Sequence, residues 1–175
     1  MTPNPEFETL LTGGHPNSLG NTVDVVERAL AEDRVADLYS CYGSDDEVVR
    51  LRVSNGMKRI AKADRTRVIP LIDGLITEIA AIDQASAQWT LAELFALLWD
   101  DMDETQQASA QAIVKRNLST SRDWIVLNKS MDAVARWAKA DATLAAWLRP
   151  HLERLAGDDR RSVASRAEKH LSALG

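Results

Sequence analysis

The sequence predicts an all-α chain built of stacked helical hairpins. Two observations predict it: one apolar stripe recurs four times at nearly constant spacing, and no stretch makes a convincing strand. Val49, Val53, Met57 and Ile60 are answered by Ala87, Leu91, Phe95 and Leu98, then by Val126, Ser130, Val134 and Trp137, and last by Val163, Ala167, Leu171 and Leu174. The steps are 38, 39 and 37 residues. A period of that length, carrying an amphipathic helical stripe in every unit, marks units that bury their apolar faces only against their neighbours.

Residues 1–20 stand apart as an N-terminal capping segment. In it Phe7, Leu10 and Leu11 form one short helix over the exposed end of the first unit, and GGHPNSLG reads as a turn. From Thr22, VDVVERAL is helical, and DRVADLYSCY follows it as two short helices or one broken helix. Gly43 ends that run, and Ser44 with Glu47 makes a capping box opening a helix over 45–62. Thr66 or Arg67 opens the next helix, to about Ile82, with Pro70 tolerable near its first turn. Helices follow over 83–100, 103–118, 121–139 and 141–156, and from Asp158 or Asp159 to the end, each beginning at an acid or hydroxyl suited to N-capping. Pro150 is expected to kink its helix. Short connections make consecutive helices antiparallel. Residues 21–175 are then one repeat domain with units of about 21–63, 64–101, 102–140 and 141–175.

At 175 residues, 45% of them hydrophobic and 27% charged, the chain has the composition of a soluble domain. No apolar run approaches the length of a membrane span and MTPNPEFETL lacks the regions of a signal peptide, so the expected location is cytoplasmic, away from membranes. Cys41, the only cysteine, is expected to pack in the core. The net charge of -5 is unevenly laid out: between Val68 and Val114 there is no Lys or Arg, but there are eight acids. That acidic middle between basic flanks disfavours a continuous phosphate-tracking groove and suits a cationic partner.

SDDEVVRLRVSNGMKRI, with Asp46, Val49, Arg50 and the small Gly56, resembles the second helix of a HEAT repeat. DDRRSVASRAEKHLSAL is similar in frame through Asp159, Val163 and Ala167, with Ala164 at the Arg position, where the middle units carry Gln88 and Leu127. The resemblance covers about residues 33–175. It implies a right-handed α-solenoid of about four antiparallel helical pairs, with the second helices lining the concave side. Proteins of this architecture include scaffolds, transport receptors, a few hydroxylases and DNA glycosylases, so the fold leaves the activity open.

Rotation by 100° per residue away from the core stripe lists the positions expected on the concave face. They are Glu47, Leu51, Asn55 and Lys58 in the first unit, and Trp89, Glu93 and Ala96 in the second. The third unit contributes Trp124, Asn128 and Asp132, and the fourth Arg161, Ser165 and Lys169. The four-residue step from Trp124 to Asn128 resembles the Trp and Asn ladders of armadillo relatives such as the importin alpha family. That resemblance implies indole walls for an aliphatic stem and amides for a peptide backbone. Packing is the other reading of Trp89 and Trp124, and both stay open; Trp99, Trp137 and Trp147 fall nearer core positions.

His15, His151 and His170 are isolated, without the repeated His-Glu pairs on which HEAT-like metal hydroxylases rely, and no nucleotide or nucleophile motif is present. No catalytic residue, metal or cofactor is therefore expected. The expected activity is non-catalytic binding of an extended or basic protein segment: Trp89 and Trp124 as anchors beside Leu51 and Lys58, Asn55 and Asn128 as backbone readers, Glu93 and Asp132 as selectors. The alternative is nucleic-acid binding or excision of alkylated bases, in which Trp89 with Glu93, or Trp124 with Asp132, would serve the cleft.

Overall fold

A computed structural model describes residues 1–15 and 18–174, and among them there is no strand. Pro16 and Asn17, in the expected GGHPNSLG turn, and the terminal Gly175 lie outside the described residues. Ten α-helices follow in order: α1 (Pro5–Leu11), α2 (Thr22–Ala31), α3 (Val35–Ser40), α4 (Glu47–Ala63), α5 (Ile72–Thr77), α6 (Ala85–Leu97), α7 (Glu104–Thr120), α8 (Trp124–Ala138), α9 (Ala142–Ala156) and α10 (Arg161–Leu174). No described helix is long and apolar enough to cross a membrane. The chain divides into two compact units, Met1–Thr90 and Leu91–Gly175, with the division inside α6.

In the first unit α4 packs against α1, α2 and α3. Asn4 caps α1 by accepting from the Glu6 and Phe7 amides, and Phe7 and Leu11 are fully buried. Arg34 and Arg28 lie over the Phe7 ring while also pairing with Glu6, which ties α1 to α2 and α3. α2 and α3 are separate helices, broken where Asp33 turns to a positive φ of 56°. The cap of α4 is Asp46, whose carboxylate accepts from the Val48 amide; Ser44 accepts from the Asp46 amide instead of forming the expected capping box. Gly56 sits where a Cβ would be 3.0 Å from Leu38 Cδ2, so this small residue sets how closely α4 meets its neighbours.

The helix expected from Thr66 to Ile82 is broken into short 3-10 turns at 65–67, 69–71 and 79–81 around the six residues of α5. Pro70 removes one backbone donor and disfavours helical geometry before it, which leaves tighter turns as the way through.

In the second unit α8 packs against α7, α9 and α10. α7 opens with a complete capping box between Asp103 and Gln106, α8 is capped by Asp123 and α9 by Asp141. Pro150 lies exposed within α9, which continues through it. Trp137 is buried and stacks on Trp99 at 4.5 Å between centroids, while Trp147 stacks on His151 at 4.2 Å under Lys115.

The repeat shows in which residues meet. Side-chain contacts join Tyr39 to Glu78, Arg50 to Gln84, Lys129 to Glu93, Arg166 to Asp132 and Arg160 to the Arg122 carbonyl, all separated by 34 to 39 residues. The first three apolar stripes are buried throughout. In the fourth, Val163 and Ala167 are buried but Leu171 and Leu174 only half-buried. Cys41 is buried, and burial pushes its thiol up to about 11, as for an unreactive core residue.

Candidate functional site

Two surfaces collect the residues singled out by rotation, one in each unit. In the first, Leu51, Trp89 and Glu47 line a shallow pocket of about 200 Å³ where the starts of α4 and α6 meet. Gln84 builds it by accepting from Arg50 Nε and donating to the Glu47 carbonyl and Ser86 hydroxyl. Trp89 and Leu51 are half-buried, so each serves packing and surface together. Asn55 donates to the Leu51 carbonyl of its own helix at 3.2 Å, and Lys58 is half-buried further along α4.

The second surface lies on α8 and α10. Trp124, at the first turn of α8, is 48% exposed, the only exposed aromatic among the described residues. Asn128, one turn on, is not beside it on the surface: it is 6% exposed and its amide oxygen is buried without a partner. The expected backbone reader is therefore corrected to a buried polar residue. The reason is the number of neighbours. Rotation away from one core stripe assumes a helix covered on one side, whereas α8 has three helices around it. Beyond Trp124, what stays open is a narrow strip of Ile125, Lys129, Asp132 and Arg136, confined to about 60° of the helix circumference.

A buried acceptor without a partner costs about 1–3 kcal/mol. Asn128→Leu is accordingly expected to raise stability by about 1 kcal/mol, read as a higher midpoint in urea; a fall in midpoint would show that the amide has a structural role.

The two carboxylates expected to select a basic side chain are already engaged. Glu93 accepts from Lys129 Nζ at 2.9 Å. Asp132 accepts from Arg166 Nη1 at 2.7 Å and lies 2.8 Å from His170 Nε2. Burial alone would raise the Asp132 carboxyl, but its hydrogen bonds to His170 and Arg166 outweigh it and hold the group below the usual range. Each partner lies about one repeat along the chain. The period of 37 to 39 residues contains that pairing, which the faces of single helices do not show.

Beside this cluster α8 and α10 enclose a pocket of about 270 Å³. Arg136, Lys139 and Lys169 stand around it, and none makes an ion pair among the described residues. Of these only Lys169 belonged to the faces predicted by rotation. No group of His, Cys, Asp and Glu among the described residues is arranged to hold a metal ion.

No family profile matches the chain, and no curated protein is similar to it in sequence. Among solved structures it is similar to a designed armadillo repeat protein, over 98% of this chain and 100% of that one, at 14% identity and a TM-score of 0.41.

Proposed function

We propose that the chain is a non-catalytic interaction module that binds an extended protein segment running from Trp124, at the start of α8, onto the open strip of α8 and the adjoining face of α10. The observation that carries this reading is Trp124. An indole left half-exposed, on a chain whose other large apolar side chains are mostly withdrawn, is the residue type that anchors interfaces, where truncation costs about 2 kcal/mol or more. A right-handed stack of helical pairs would set such strips side by side, which is how repeat architectures make extended binding surfaces. The half-buried Trp89, with Leu51, supplies a secondary platform.

Trp124→Ala tests this. The variant is expected to melt within about 1 °C of the parent, since little packing is lost, while binding of partners in a pull-down falls by about thirtyfold. A large loss of stability with unchanged partners would make Trp124 a packing residue. Release of free base from methylated DNA would replace the binding module with a glycosylase.

A further inference from the structure

The pocket between α8 and α10 has a chemistry that the binding reading does not by itself specify. It is lined by the cations Arg136, Lys139 and Lys169, by the apolar Ala135, Ala173 and Leu174, and by Asp132 with His170. Asp132, the one acid on its wall, is neutralised by Arg166. The three cations are thus left without an internal counter-charge. Like charges held around one small pocket repel each other, and a bound anion relieves that repulsion.

We infer that this pocket binds an acidic peptide segment in which an apolar side chain stands between acidic ones. The apolar side chain rests on Ala135, Ala173 and Leu174, and the flanking carboxylates meet Arg136, Lys139 and Lys169. A nucleic acid fits less well. No Trp, Tyr or Phe lines the pocket to stack a base, the imidazole of His170 is held against Asp132, and the cations form a cluster rather than a row following a backbone. The assignment rests on the binding reading and extends it. Trp124 and Arg136 are twelve residues apart on α8, about 18 Å along its axis and about a third of a turn around it, which about seven residues of extended chain can span.

The test uses the full chain and a fluorescein-labelled peptide rich in glutamate with spaced leucines, followed by anisotropy. Controls are the same peptide with lysine for glutamate, and single-stranded and duplex DNA of matched charge. The glutamate peptide is expected to bind, more weakly as salt rises, and the lysine peptide is not. The double variant Arg136→Glu with Lys169→Glu changes two exposed side chains, so the fold is retained and its melting curve is expected to match the parent's. Its affinity for the glutamate peptide is expected to fall about tenfold or more. Equal binding of the two peptides, or an unchanged affinity in the double variant, overturns the assignment. So does displacement of the peptide by DNA at lower concentration, which would assign the pocket to nucleic acid. Binding that is lost in Trp124→Ala but kept in the double variant removes the acidic-segment assignment and leaves the binding module standing.

Discussion

Replacing Arg52 by Met is expected to destabilise the first unit by about 3 kcal/mol and to release the N-terminal segment from it. Arg52 lies on α4 with 1% of its surface exposed, and no carboxylate pairs with it among the described residues. Its guanidinium is held by carbonyl oxygens: Nη1 donates to Leu11 and Gly13 at 2.5 Å, Nε to Ser18 at 3.2 Å and Nη2 to His15 at 3.3 Å. One buried cation therefore gathers the carbonyls of Leu11, Gly13, His15 and Ser18. Gly20 fits the same arrangement, with a positive φ of 51° and a Cβ position only 3.0 Å from the Arg52 guanidinium carbon. Methionine keeps much of the stem volume but none of the donors. Carbonyls near the surface then turn to water, while that of Leu11 loses a buried partner. The expected readout is a melting temperature lower by about 6–12 °C, with faster amide exchange at residues 12–15 and 18–20. Arg52→Lys is expected to recover less than half of the loss, because a point ammonium does not reach four acceptors spread in a fan. Unchanged exchange in the methionine variant would mean that α1 alone holds the segment.

Phe95→Ala is expected to be at least as damaging, by a different route. Phe95 is fully buried in the stripe of α6, and emptying its site removes the transfer energy of the ring and leaves a cavity, together about 3–5 kcal/mol. The melting temperature is expected to fall by about 10 °C, with little effect on α1 to α3, which lie in the other compact unit. Trp124→Ala is the contrasting case, with near-parental stability and lost binding. Equal stability losses at the two positions would show that the surface reading of Trp124 is wrong.

The core was legible in the sequence because burial of a stripe depends only on periodicity. Val49, Leu91, Val126 and Val163 are all fully buried, and the period reappears in the contacts of Asp132 with Arg166 and of Glu93 with Lys129. The helix expected from Ser121 starts instead at Trp124, capped by Asp123, but the caps at Asp103 and Asp141 were legible. The segment around Pro70 was not, since local breaks depend on how a missing donor is accommodated and not on the apolar pattern. The site was legible in part. Trp124 lies on the surface, as the phase of α8 indicates, but Asn128 does not, because α8 is packed by three helices rather than along one stripe. Arg52 belongs to a basic flank of the sequence, and its role follows only once the carbonyls of Leu11, Gly13, His15 and Ser18 come back against α4.

Site-specific photocrosslinking tests the central claim, that the open strip of α8 is where a protein segment binds. A benzophenone side chain at Ile125, on the strip, is compared with one at Glu153, exposed on α9. The expected result is a discrete crosslinked protein species from position 125, competed by excess unlabelled parent chain, and none from position 153. Crosslinks of equal yield from both positions, or from 153 alone, would contradict it.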